Sequence, residues 1–255
     1  MSVADIAALA ERLDTAACNA AATPQLQPPI SLQQAYAVQR ASIERRLARG
    51  ETRIGIKMGF TSRAKMVQMG VDDLIWGRLT SAMLVEDGGS VSLSRYVHPR
   101  VEPEVAFLIG KPLAGHVTAM QALAAVDAVA PALEIIDSRY ENFRFSLTDV
   151  VADNSSSSGF VVGPWTAPDV DLSNLGLAMA FDGRPQAFGS TAAILGHPLR
   201  SLVAAARVVA EADEWLSPGD IVLAGGATAA SALASGSFVS LEIEKLGRCG
   251  FHVQG

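Results

Sequence analysis

Cysteine, positive charge and unbroken apolar runs are all scarce in this sequence, and each shortage closes a class of function. Two cysteines in 255 residues, Cys18 and Cys249, have neither CxxC spacing nor the density of a secreted disulfide framework. They read as free thiols of a reducing compartment, so the chain is expected in the cytoplasm. Lysine and arginine total 20 against 26 aspartates and glutamates, a net charge of −6. No basic stripe is available to track phosphates, which excludes a dedicated nucleic-acid binder. The longest uncharged stretch, 221–241, is diluted by Gly225, Gly226, Gly236 and several hydroxyl residues, so no membrane span is expected. The N-terminus, MSVADIAALAERLD, is acidic and amphipathic, unlike a signal peptide. A P-loop, GxGxxG, GxSxG and HExxH are all missing, and His98, His116, His197 and His252 are scattered.

What is present divides the chain in two. Over residues 1–52, Ile6, Leu9, Leu13 and Ala17 recur at helical spacing, and after Pro28-Pro29 the run Ser31-Leu-Gln-Gln34 has the form of a capping box. These residues predict an N-terminal helical lobe. Over 53–255 the texture changes to short apolar strands: Ile54–Met58, Val101–Ile109, Ala132–Ile136, Gly159–Val162, Gly176–Phe181, Ile221–Ala224 and Ser237–Glu244. Helices are predicted at Ser62–Met69, Thr118–Ala130 and Leu199–Ala212. Strands and helices do not alternate regularly, so the expected class is α+β with a rolled or sandwiched sheet, not a doubly wound parallel one.

The most informative segment is His98-Pro-Arg-Val-Glu-Pro-Glu-Val-Ala-Phe-Leu108. On a strand, Glu102 and Glu104 project from one face, while Pro103 faces away and suits an edge or a strand start. Two carboxylates ~4 Å apart at an effective dielectric of ~20 repel by roughly 4 kcal/mol. Glu134 is the one charge in a second apolar strand, Ala132-Leu-Glu-Ile-Ile136. Three such acids suit a hard divalent cation such as Mg²⁺. They equally suit structural pairing with Arg100, Arg139 or Lys57, and spacing does not separate the two readings.

Lys57 is the one charge in Ile54-Gly-Ile-Lys-Met-Gly-Phe60. It is either a substrate-positioning or acid–base group, or an edge-strand lysine that snorkels to water. Asn154 and Ser155, in a polar loop, could hold a ligand carboxylate or simply make a turn. Ala224-Gly-Gly-Ala-Thr228 offers close backbone approach after a strand, which makes Gly226 and Thr228 candidate contacts.

The ordered set KMGFTSRAKMVQMGV, HPRVEPEVAFLI, PALEIIDSRYENF, DVVADNSSSSGFVVG, GHP and LAGGATAA resembles the hydratase/decarboxylase branch of the fumarylacetoacetate hydrolase superfamily. The resemblance covers the chain from about Gly55 to Val239. It implies a rolled, mostly antiparallel β-structure with surrounding helices, with Mg²⁺ or Mn²⁺ held by Glu102, Glu104 and Glu134 and with Lys57 at the substrate. Hydratases of the branch carry a Pro-Asp-Phe-Gly type segment that handles water. The equivalent stretch here is Asp73-Leu-Ile-Trp-Gly77, with Ile75 at the aspartate's position. That difference, with the Glu-Pro-Glu and KMGFTS forms, implies loss of CO₂ from the dicarboxylate 2-oxohex-3-enedioate, in the breakdown of aromatic compounds by meta-cleavage. The alternatives are hydration of 2-hydroxypentadienoate and a non-catalytic scaffold for a partner hydratase. Arg139 or Arg144 is a candidate contact of the departing carboxylate, with a surface salt bridge as the alternative, and more common, role of either. The resemblance further implies a homo-oligomer and a complex with a 2-oxopent-4-enoate hydratase.

Overall fold

A computed structural model of the chain describes residues 1–62, 66 and 74–255. Apart from Ser62 and Met66, the helix expected at Ser62–Met69 lies outside the described residues, as does Asp73.

Helices α1 (Val3–Cys18) and α2 (Leu32–Ala48) each begin with a capping box, in which Ser2 accepts from the Asp5 N–H and Ser31 from the Gln34 N–H. Their inner faces, Ala10, Leu13, Ala35 and Val38, share one apolar cluster with Ile75, Tyr140 and Val150. Gln39 of α2 reaches further, donating to the carbonyls of Trp76 and Val151 at 3.1 and 2.8 Å.

Thirteen strands are found among the described residues: β1 (Arg53–Gly59), β2 (Ile75–Thr80), β3 (Leu84–Val85), β4 (Ser90–Ser92), β5 (Arg100–Ile109), β6 (Val126–Ile136), β7 (Ser157–Val162), β8 (Gly176–Phe181), β9 (Arg184–Ser190), β10 (Ile221–Leu223), β11 (Ser231–Ala232), β12 (Phe238–Ile243) and β13 (Gly247–Gln254). One sheet runs β2-β1-β10-β5-β6-β7-β3, with β11 also on β5, and the second runs β4-β13-β12-β8-β9. Most pairings are antiparallel. The pairs β1–β10, β3–β7 and β4–β13 are parallel. The expected α+β class, with rolled and mostly antiparallel sheets, is what is found.

Val105, Phe107, Leu133 and Val161 of the first sheet join Met179, Val239, Leu241 and Phe251 of the second in one core. Each such side chain contributes roughly 1.5–3 kcal/mol on burial. Short helices α3 (Ala119–Leu123) and α4 (Leu147–Ala152) precede β6 and β7, and α5 (Pro198–Glu211) packs Leu202, Ala205, Ala206 and Val209 into the core. The segment 191–211 is long and apolar enough to cross a membrane. The face it turns into the core accounts for that apolarity.

Two expectations need correction. The helix read over Thr118–Ala130 stops at Leu123, because from Val126 the chain pairs along β5, Val126 opposite Ile109 through Ile136 opposite Arg100. Pro103 is in mid-sheet, not at an edge. It falls in the gap between β11, opposite Val101, and β10, opposite Ala106. There the 224–227 loop replaces a strand, with Ala227 N–H donating to the Pro103 carbonyl at 2.9 Å. A missing N–H costs nothing where no ladder partner is required.

Candidate metal centre and its cavity

Glu102 and Glu104 leave the same face of β5, and the β5–β6 register sets Glu134 directly opposite Glu102. One carboxylate oxygen from each lies within 4.8 Å of the others. Exposures are 8% for Glu102 and 0% for Glu104 and Glu134, so water relieves little of the repulsion. Like charges facing each other across a strand pair are destabilising even at a surface.

The protein supplies only part of what these acids need. Gly225 N–H donates to Glu104 Oε2 at 2.6 Å, and Lys57 Nζ lies 3.2 Å from Glu134 Oε2. Glu104 Oε1 and Glu134 Oε1 are buried without a hydrogen-bond partner. Burial, and then the charges of Glu134 and Glu102, push the Glu104 carboxyl well above the usual carboxylate range, against the opposing pull of Lys57 and the Gly225 amide. Arg139 is paired elsewhere, so the structural pairing weighed above is met by Lys57 alone among the three cations named for it. Two orphaned oxygens on buried carboxylates fit a divalent cation with oxygen ligands.

Local backbone explains how the partners arrive. Gly225 has φ +103°, and a Cβ there would lie 2.0 Å from Thr61 Oγ1, so only glycine lets its amide approach Glu104. Lys57 is held on β1, between β2 and β10, and is 4% exposed, so it is not a snorkelling edge lysine.

Beside the acids lies a cavity of about 310 Å³, lined by Lys57, Glu102, Ser155, Ser156 and Gly226 and walled by Phe60, Ile75, Phe143, Phe145 and Val150. Arg100 also faces it. Phe60, at φ +57°, and Ser155 and Ser156, at φ +52° and +61°, hold the cavity wall in left-handed backbone that these residue types rarely adopt.

Thus Lys57, Glu102, Glu104, Glu134, Ser155 and Gly226 are brought together at the acid cluster and the cavity beside it. Four candidates do not. Asn154 uses its amide on β2, accepting from Arg78 N–H at 2.8 Å and donating to the Arg78 carbonyl at 2.9 Å, which pins the loop without facing the cavity. The Thr228 hydroxyl donates to the Ala229 carbonyl at 3.1 Å, and the residue does not line the cavity. Arg139 is committed to Asp153, with Nε 2.6 Å from Oδ1, and faces a separate polar cavity beside α1 and α2. Arg144 is exposed. Sequence reasoning did not single out Gly225, Phe143 or Phe145. The paired glycines after a strand were the available sign for Gly225. Nothing in the sequence placed the aromatic wall.

Residues 54–254 match the fumarylacetoacetate (FAA) hydrolase C-terminal family. The chain is 58% identical over 252 residues to a 4-oxalocrotonate decarboxylase of a Pseudomonas species, covering 98% of both chains. It is 34% identical to a 2-keto-4-pentenoate hydratase of Paraburkholderia xenovorans, covering 86% of this chain and 83% of the relative. Among solved structures, it resembles 4-oxalocrotonate decarboxylase from Pseudomonas putida G7, complexed with magnesium and adipate, at TM-score 0.96 and 38% identity over 99% of this chain and 98% of that one.

Proposed function

This chain belongs to the fumarylacetoacetate hydrolase family, and from that premise we propose that it is a cation-dependent carboxy-lyase. It converts 2-oxohex-3-enedioate (4-oxalocrotonate) to 2-hydroxypenta-2,4-dienoate and CO₂, a step in meta-cleavage degradation of aromatic compounds. The observation that carries the reading is the pair of buried, unpartnered oxygens Glu104 Oε1 and Glu134 Oε1 beside a largely apolar cavity. Kinship with decarboxylases over nearly the whole chain supports this chemistry over hydration.

Held by Glu102, Glu104 and Glu134, Mg²⁺ or Mn²⁺ supplies a Lewis acid that draws electron density toward the 2-oxo group of the substrate. In the reaction the C5–C6 bond breaks, its electron pair shifts through the C3=C4 double bond to the 2-oxo oxygen, and C6 leaves as CO₂. The chain's own residues prepare that step. Lys57, fixed by Glu134, offers N–H donors to the substrate's head group. The Ser155–Ser156 turn and Gly226 bring main chain to the cavity. Phe60, Ile75, Phe145 and Val150 exclude water around a step that turns a carboxylate into a neutral gas. Ile75 offers water no polar group.

On this reading the small-molecule partner is a 2-oxo dicarboxylate, and a 2-oxopent-4-enoate hydratase takes up the product in a complex with a homo-oligomer of this chain. The unpaired Cys18 and Cys249 support a cytoplasmic location. The test is to incubate the purified protein with 2-oxohex-3-enedioate and Mg²⁺ and follow CO₂ and the dienol together. Stoichiometric appearance of both is expected. Hydration of supplied 2-hydroxypentadienoate without any CO₂ from the hexenedioate would assign the site to a hydratase, and no turnover of either compound would leave a scaffold.

A further inference from the structure

We propose that Arg100 receives the distal carboxylate of the substrate, so that the cavity selects 2-oxo dicarboxylates over 2-oxo monocarboxylates. The inference rests on the reaction proposed above. Arg100 precedes Glu102 by two residues on β5, so both side chains leave one face of the sheet, and both line the cavity. Two strand residues advance about 6.7 Å. An extended six-carbon chain with bonds of ~1.5 Å separates its terminal carboxyl carbons by roughly 6 Å. A substrate with its 2-oxo acid head at the three glutamates therefore carries its far carboxylate toward the Arg100 end.

The guanidinium is ready for such a ligand. The two cations lining the cavity, among the described residues, are Lys57 and Arg100, and Lys57 is already paired with Glu134. Arg100 has no carboxylate partner among the described residues, and its Cζ sits 4.6 Å from the centre of the Phe143 ring. Stacking orients the guanidinium plane while leaving its N–H fork free to meet a carboxylate through two parallel hydrogen bonds. Phe143 is fixed in turn by edge-on contacts with His98 and Phe145, at centroid distances of 5.7 and 5.2 Å. The arginines considered above for this contact differ: Arg139 is committed to Asp153, and Arg144 does not line the cavity. Because the contact forms before the C5–C6 bond breaks and is lost with CO₂, it contributes to binding. Its removal raises KM more than it lowers kcat.

The test measures dissociation constants of 2-oxohexanedioate and 2-oxohexanoate, which share the head group and lack the double bond needed for decarboxylation. The proteins are Mg²⁺-loaded wild type, Arg100→Ala and Arg100→Gln, the last keeping much of the stem over Phe143 should the alanine variant fail to fold. Wild type is expected to prefer the dicarboxylate by about tenfold or more, and both variants to lose that preference through weaker dicarboxylate binding alone. Equal weakening of both ligands would assign Arg100 to the head group. No preference in the wild type, or unchanged binding in the variants, would leave it without a ligand. Each of these results overturns the proposal. If wild type releases no CO₂ from 2-oxohex-3-enedioate, the proposed reaction falls while the binding ratio still decides the role of Arg100.

Discussion

Arg139 with Asp153, in the connection between β6 and β7, and Lys57 with the three glutamates, on β1, β5 and β6, are two sets of buried charge that are resolved differently. Around Arg139 each charge meets a partner: its Nε reaches Asp153 Oδ1, its Nη2 the Asp153 carbonyl at 2.8 Å, and its own backbone N–H Asp153 Oδ2 at 3.0 Å. Around Glu104 the Gly225 amide serves one oxygen of Glu104 and the Lys57 ammonium one oxygen of Glu134, while the second oxygen of each of these two acids remains unpartnered. Burial of charge alone therefore does not mark a site of chemistry. An incomplete set of partners does, because a folded protein tolerates it only where something else arrives to complete it.

The comparison breaks first at Glu104. Glu104→Gln is expected to lower CO₂ release by about 10³–10⁴-fold, read as kcat/KM, by removing a ligand oxygen and its charge. The same change should raise the melting temperature of chelator-treated protein, since a repelling buried charge is gone. Arg139→Ala should do the opposite. It leaves Asp153 buried and unpaired, costing about 3–5 kcal/mol of unfolding free energy in a urea titration, with Mg²⁺ affinity of the folded protein retained. Gly225→Ala tests the amide that joins the two kinds of behaviour. A Cβ close to Thr61 at positive φ should cost about 1–3 kcal/mol of stability and weaken cation binding together. The surface supplies the smallest effect: Arg248, paired with Glu242 at 2.8 Å with side chains 74% and 56% exposed, should change stability by less than about 0.5 kcal/mol when replaced by alanine.

How much of this was legible in the sequence follows from which forces are local. The Ser31–Gln34 capping box and the i, i+2 relation of Glu102 and Glu104 depend on near neighbours, and they were readable. Glu134 was singled out by its isolation in an apolar strand, but its position opposite Glu102 is a matter of register, which no local pattern states. The edge strand β9, largely exposed, carries no apolar alternation to find, and β2 hides its buried Arg78 behind partners supplied by α2 and Glu214. Arg139 was misplaced at the substrate for the same reason: its partner Asp153 lies fourteen residues away, across a turn the sequence leaves open. The family resemblance supplied the ligand set that spacing left undecided, and the orphaned oxygens are an independent physical reason for it.

Titration of Mn²⁺ into chelator-stripped protein, followed by the loss of the free-ion electron paramagnetic resonance signal, tests the carboxylate cluster most directly. One ion bound per chain, displaced by Mg²⁺ and abolished in Glu104→Gln, is the predicted result. Binding that is absent in the wild type, or that survives the loss of Glu104 undiminished, would contradict the account.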